Sequence, residues 1–403
     1  MVVIGGGVIG AASALALQRR GLAVQLIDPD PDWRGASRGN AGLIAVDEVD
    51  PLASRATLKS LPRLLFSRGG PVGLPLRDIS AWLPFGLRLV AASGPARFAA
   101  GRNALASLLG RAVPAWQRLA EELGEPGLVR ANGHYVVWDR PESVAKGRTA
   151  HASDNGITTC HDAAPEELAR LGALMAPPAG AVRIEGTAQI ADLDALAAAL
   201  ARRFAALGGT RLRGRARIEQ GAVRLETGER IAADSILVAA GPSSAVLLRP
   251  LGHQVPLIAE RGYHIQCAGA GWPEDMPTIF LEDRSMVVTR FRSGLRATSF
   301  VEFGRAASPP DPRKWARLRA HVRELGLPFD EPIAEWMGAR PTLPDYLPAI
   351  GRSTRHSNLY YAFGHQHLGM TLAAITGELI GALAAGETPA VDLAPFRVER
   401  FGR

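Results

Sequence analysis

The chain is poor in lysine, cysteine and long apolar runs, and each shortage excludes something. Of its 46 basic residues only Lys59, Lys146 and Lys314 are lysines, so arginine carries the net charge of +7. No Lys/Arg cluster interleaves with aromatic residues, so no nucleic-acid surface is expected. The two cysteines, Cys160 and Cys267, lie far apart. They offer neither metal-ligand spacing nor a disulfide framework, and they fit a reducing cytoplasm. No uninterrupted apolar stretch of about 20 residues occurs, so no bilayer span is expected. The apolar N-terminus has no basic leader and is broken by glycines, which argues against a signal peptide. The first strand would begin at Met1 itself, and a start a few residues upstream stays open. At 403 residues and 47% hydrophobic, the chain can build two domains with full cores. The basic balance suits an anionic substrate or an anionic membrane surface.

The beginning of the chain is its most informative stretch. A β-branched run drops into Gly5-x-Gly7-x-x-Gly10, with Val8 and Ile9 inside the motif. An apolar helical pattern follows over 11–20, Gly21 stops it, and a second strand over 23–27 ends on Asp28. This is a dinucleotide-binding βαβ order. The glycines let the backbone approach a pyrophosphate at a helix N-terminus, whose free N–H groups and dipole favour negative charge. Asp28 stands where a carboxylate can accept from ribose hydroxyls, which favours FAD or NAD over NADP.

The loop 29–42 ends Ala36-Ser-Arg-Gly-Asn-Ala-Gly42, small residues that suit close approach of backbone to a cofactor. Residues 52–124 read as helices broken by prolines and glycines. Within them Trp82, Leu83, Phe85, Leu87, Leu89 and Val90 form an apolar patch, read first as core and second as a peripheral membrane contact. Strands are expected at 133–138, 211–212, 216–218 and 223–226, and a helix capped by Asp192 and Gly208 lies between the first two. The run 236–240 is apolar throughout, as in a parallel strand buried on both faces, and Gly241 ends it where backbone passes near the cofactor. Segments 263–266, 278–281, 286–290 and 296–303 could form one antiparallel sheet. A basic helix near 314–325 follows, then a strand at 359–363. Gly364-His-Gln-His-Leu-Gly-Met-Thr371 and a helix over 372–385 close the chain, offering a second helix N-terminus able to hold negative charge.

Five motifs in this order resemble the FAD-dependent D-amino acid oxidase superfamily, in its bacterial branch of D-amino acid dehydrogenases and glycine-oxidase-like enzymes. They are GGGVIG with Asp28, ASRGNAG, ADSILVAAG, GARPTLPDYLPAIG and GHQHLGMT, and together they span nearly the whole chain. The resemblance implies an α/β fold. A Rossmann-like FAD domain, a parallel sheet flanked by helices, would be assembled from 1–45, 185–250 and 335–403. An α+β substrate domain with an antiparallel sheet would take up 46–184 and 251–334.

The resemblance also implies roles. Gly5, Gly7, Val8, Ile9 and Gly10 would lie at the pyrophosphate, Asp28 at the adenosine ribose and Arg217 at the adenine. Asn40, Ala41 and Gly42 would line the isoalloxazine, with Ser37 and Leu43 beside them in the cofactor site. Gly369, Met370 and Thr371 would meet the pyrimidine edge, preceded by Gly364 and Leu368. Some relatives attach flavin through a cysteine near this loop, which here has none, so noncovalent FAD is expected. Arg340 would clamp the substrate carboxylate, a task suited to a planar fork. Tyr263 and His264 would edge the substrate pocket. His365 and His367 are spaced like a metal pair but lack a third ligand, so no metal is expected and one of the two would face the substrate.

The implied reaction is hydride transfer from Cα of a D-amino acid to flavin N5, with a cyclic, proline-like substrate such as D-proline or hydroxy-D-proline favoured. Glu260 and Glu302 are the acids available to pair a basic substrate side chain. The electron acceptor would be a quinone or other respiratory carrier, or O2. A cytoplasmic protein, peripheral at the inner face of the cell membrane in the second reading of the apolar patch, is expected. Rival readings are a glycine or sarcosine oxidase using O2, a flavoprotein subunit of a larger dehydrogenase complex, and an NAD-dependent dehydrogenase.

Overall fold

The computed structural model describes residues 1–30, 33–152, 155–219 and 222–402. Among these residues the strands form four sheets. The first has six strands in the spatial order Thr210–Arg213, Gln25–Asp28, Val2–Ile4, Ile236–Val238, Leu359–Phe363 and Ala349–Arg352. All neighbours are parallel except the last pair. Val2–Ile4 and Ile236–Val238 are apolar at every position because both faces are covered by other elements.

Helix Val8–Arg19 packs on one face through two glycine contacts. A Cβ on Gly10 would lie 1.8 Å from the Gly5 carbonyl oxygen, and one on Gly377 would lie 2.8 Å from that of Ala12. The second contact seats the closing helix Gly369–Ala384 directly on Val8–Arg19. That closing helix begins at Gly369, three residues earlier than expected, so Gly369–Thr371 form its first turn. Residues 366–384 are long and apolar enough to cross a membrane, yet that window is 72% buried, as a core helix is. The long helix Pro95–Glu122 joins the same core through Leu105, Leu108, Ala112 and Trp116. Trp116 Nε1 donates to the Met370 and Thr371 carbonyls at 2.9 and 3.1 Å. This helix was expected with the substrate domain, and its buried face packs on the closing helix.

The largest sheet has nine strands. Along its main path lie Ala334–Thr342, Ile258–Cys267, Gly294–Gly304, Met286–Phe291, Thr278–Leu281, His134–Trp138, Gly180–Glu185 and Thr159–Asp162. Val72–Gly73 pairs on Gly294–Gly304. The expected antiparallel run is present, and Thr278–Leu281 also pairs parallel with His134–Trp138. Ala334–Thr342 pairs antiparallel with Ile258–Cys267, which puts Arg340 in this sheet, not in the third piece of the parallel-sheet domain. Two three-stranded sheets complete the fold, one of them Leu43–Ile44, Ala188–Ile190 and Val129–Arg130.

Helix Ile79–Ala92 corrects the first reading of the apolar patch. Of its residues only Phe85 is buried, while Leu83, Leu87 and Val90 stand in solvent. A local apolar run reports hydrophobicity and not the presence of a neighbour to cover it.

Candidate active site

A single cleft of about 1230 Å³ runs between the C-terminal ends of the parallel strands and the large mixed sheet. That exceeds the usual volume of a small-molecule pocket and suits a dinucleotide with a substrate beside it. One end is lined by Asp28, Gly214 to Arg217 and Glu226, and the middle by Gly5 to Ile9, Ser37, Asn40 and Ala41. The far end is lined by Leu43, Glu48, Phe300, Trp336, Arg340 and residues 365–371.

At the first helix, the Gly6 N–H donates to Asp28 Oδ2 at 2.6 Å and the Asp30 N–H to Oδ1 at 2.7 Å. The Val8 N–H donates to Ser37 Oγ at 3.0 Å, so Ser37 closes the loop over the helix start. The remaining first-turn N–H groups have no carbonyl four residues back, and they leave a cradle for an anion. Gly5 has φ +111°, and a Cβ there would lie 2.3 Å from the Ala239 carbonyl oxygen. A Cβ on Gly7 would meet only Ser37 Oγ, at 3.1 Å. Gly5 and Gly10 therefore set close packing, and Gly7 lies on the open cleft side.

Asn40 Oδ1 accepts from the Gly42 N–H at 2.7 Å. Arg296, from the large sheet, donates to the Arg38 and Asn40 carbonyls at 2.9 and 2.6 Å and ties this loop down. At the second helix, Thr371 Oγ1 accepts from the Ala45 N–H at 3.1 Å. Three buried polar atoms on cleft-lining residues, Thr298 Oγ1, His365 Nδ1 and Gln366 Oε1, have no partner among the described residues. A cofactor with donors and acceptors along its edge could satisfy them. The cradle, the cleft length and these unpartnered atoms fit FAD, and neither Cys160 nor Cys267 lines the cleft.

Arg340 donates from Nη1 to Glu260 Oε1 at 3.2 Å and to the Phe300 carbonyl at 3.3 Å. Glu260 Oε2 accepts from Thr342 at 3.1 Å and from Tyr346 at 3.2 Å, so this buried carboxylate is committed to the protein. Among the described residues Nη2 and Nε of Arg340 have no protein partner. Nη2 lies over Gly262, where a Cβ would be 2.3 Å away.

Glu48 was missed by sequence reasoning. It lies in an irregular loop with no pattern around it, and only the fold brings it to the cleft. Its Oε2 pairs with His367 Nε2 at 2.5 Å. Burial pulls His367 down, but the neighbouring Glu48 carboxylate outweighs this and holds it above the usual histidine value. Burial likewise pushes Glu48 up, and His367 more than reverses that. Of the two loop histidines, His367 is thus the one that faces the cleft with a charge partner. His365 is buried with Nε2 on Thr376 Oγ1 at 3.1 Å, and burial pushes its pKa down to about 3, so it stays neutral. No group of three His, Cys, Asp or Glu among the described residues could hold a metal.

Five sequence-derived positions do not line the cleft. Gly10, Gly42 and Gly364 sit behind it, Gly42 under Phe291 and Gly364 against Leu343. Tyr263 points into the opposite core, where its hydroxyl donates to Glu302 at 3.1 Å and accepts from the Asp311 N–H at 3.0 Å. His264 lies behind Trp336, stacked at 5.0 Å, and burial lowers its pKa to about 3. Neighbouring residues of a strand face opposite ways, and the pairing of Ile258–Cys267 with Ala334–Thr342 runs unbroken through this point, so Gly262 and not Tyr263 lines the cleft. Glu302 is paired with Arg261 and Lys314, away from the substrate end.

The family model described as "DAO: FAD dependent oxidoreductase" matches residues 1–383. The chain is 34% identical to a D-amino-acid oxidase of Bradyrhizobium diazoefficiens, over 100% of this chain and 98% of that one. It is 32% identical to D-amino acid dehydrogenase 2 of Pseudomonas aeruginosa, over 97% and 96% of the two chains. The fold is similar to that of glycine oxidase from Geobacillus kaustophilus, with TM-score 0.74 at 22% identity over 99% of this chain and 98% of that one. A family match that runs from the first strand into the last turn of the closing helix, with relatives above 30% identity along its length, makes the chain a member of the DAO family of FAD-dependent oxidoreductases.

Proposed function

We propose that the protein oxidises a D-amino acid to its imino acid, with a cyclic, proline-like substrate favoured. The observation that carries this reading is Arg340. It is a cation held by a buried carboxylate on one side, with Nη2 and Nε left for a ligand at the end of the cleft away from Asp28. A guanidinium so placed can take a carboxylate with two donors. The D configuration rests on the names of the relatives. The proline-like preference rests on Leu368 and Met370, apolar side chains lining the cleft, and on the commitment of Glu260 and Glu302 to protein partners.

Bound FAD supplies the two-electron oxidation of the Cα–N bond. The chain fixes the carboxylate through Arg340 and shields the site with Trp336 and Phe300. The substrate amine must be neutral to react, which gives a basic limb to the pH profile. A linear imine then hydrolyses to a 2-oxo acid and ammonia, whereas a cyclic one can persist.

Glu48 favours a second reading. Its Oε1 has no partner among the described residues and the residue lines the cleft, so a substrate with a second cation, such as D-arginine, would find an acceptor there. Anaerobic stopped-flow reduction of the bound flavin by D-proline, cis-4-hydroxy-D-proline, D-alanine, D-arginine and glycine separates the readings. Fastest reduction by D-proline or its hydroxy derivative supports the first, and by D-arginine the second. Fastest reduction by glycine or an L-amino acid overturns both.

A further inference from the structure

We infer that helix Ile79–Ala92 is a docking surface for an anionic lipid bilayer. The helix is apolar on both sides. Trp82, Phe85 and Leu89 turn toward the protein, and Phe85 packs on Phe303 of the large sheet with ring centroids 5.7 Å apart. The opposite side is bare: Ile79, Leu83, Leu87 and Val90 are 44%, 47%, 66% and 55% exposed, and Leu76 just before the helix is 81% exposed. Their spacing of three and four residues aligns them in one stripe. A helix that is apolar all round belongs inside a core or against lipid, and among the described residues no element covers the outer stripe.

Charge selects the partner. Between residues 50 and 102 the sequence has eight basic residues and two acids, Asp50 and Asp78. Asp50 pairs with Arg102 at 2.8 Å, away from the helix, and the surplus of six remains. Asp78 is itself buried and bonded to Arg305 and Ser308. Arg77 precedes the helix, Arg88 flanks the stripe, and Arg97 donates to the Ala91 carbonyl at the helix end. An apolar stripe edged by Arg77, Arg88 and Arg97 fits an anionic headgroup layer, which attracts basic side chains held near its surface. A second copy of this chain would bring six surplus positive charges against six, which disfavours pairing through the same face.

The test is co-sedimentation of the full FAD-loaded chain with phosphatidylcholine vesicles, with and without phosphatidylglycerol. Binding roughly tenfold or more stronger to the anionic vesicles, and weakened by salt, is expected. Leu83→Asp with Leu87→Asp should abolish it and leave turnover with a soluble dye unchanged. Arg88→Gln with Arg97→Gln, which leaves the stripe intact, should weaken binding several-fold and flatten the salt dependence. Flavin content and circular dichroism check that the variants fold. Equal binding to neutral and anionic vesicles, or none to either, overturns the inference. So does a wild-type dimer in light scattering that the double Asp variant converts to monomer, since the stripe would then be a subunit interface.

Discussion

Glu260 holds Arg340 at 3.2 Å from a fully buried position, and the two residues face each other across paired strands. The same carboxylate accepts from Thr342 and Tyr346. The arginine is therefore fixed from behind by three strand and loop elements, and its remaining donors are oriented before a substrate arrives. Orientation of this kind removes part of the entropic cost of binding.

Arg340→Ala should lower kcat/KM by roughly 30-fold to several thousand-fold, corresponding to about 2–5 kcal/mol for a charge-assisted contact in a closed site. Flavin content should not change. Glu260→Gln should act through Arg340, raising KM more than it lowers kcat, because the clamp would be present but loosely aimed. Steady-state kinetics on holoenzyme checks both. A change below threefold for Arg340→Ala, or a Glu260→Gln effect confined to kcat, would show that the pair does something else.

FAD should be releasable without cleavage of a covalent bond. Acid precipitation of the yellow holoprotein is expected to leave the flavin in the supernatant, since neither cysteine lines the cleft. Flavin retained in the washed pellet would contradict this.

The Glu48–His367 pair should give a stability contribution with a bell-shaped pH dependence. His367 is held above its ordinary 6.5, so its contribution is complete below that pH and is lost as pH rises through the folded value. Glu48 is held below its ordinary 4.5, so its contribution is complete above that pH and is lost as pH falls through the folded value. The wild-type advantage over His367→Gln should therefore peak between these two limits. Both side chains are open to the cleft, so the peak difference in Tm should be small, about 2 °C or less. A pH series of thermal melts measures it, and an advantage that grows steadily into the alkaline range would be incompatible with the pair.

What the sequence made legible was local. Gly5, Gly7 and Gly10 with Asp28 form a motif read within 28 residues, although only Gly10 is demanded by backbone close in sequence, the Gly5 carbonyl, and Ile236–Val238 reads as a doubly buried strand because every residue is apolar. What it hid depended on register and on distant chain. Tyr263 and His264 are neighbours on one strand and so cannot both face the cleft, and which face is the cleft side is fixed by the pairing with Ala334–Thr342, about 75 positions away in sequence. Glu48 meets His367 across 319 positions of sequence, with no motif to announce it. Leu83 and Leu87 looked like core because the sequence reports hydrophobicity and cannot say whether a neighbour covers it.

Relatives above 30% identity include both a D-amino-acid oxidase and a D-amino acid dehydrogenase, so resemblance alone does not decide between O2 and a carrier. The exposed stripe does favour one side. Phe85 of that helix rests on Phe303, on the strand that also carries cleft-lining Phe300, so a lipid-docked chain would hold the cleft close to a membrane carrier. An enzyme reoxidised by dissolved O2 gains nothing from that placement. Reduced holoenzyme, prepared anaerobically with substrate and mixed with air-saturated buffer, should reoxidise more slowly than it turns over with a quinone analogue or dye. Reoxidation by O2 at a rate equal to or above dye-linked turnover would make the protein an oxidase.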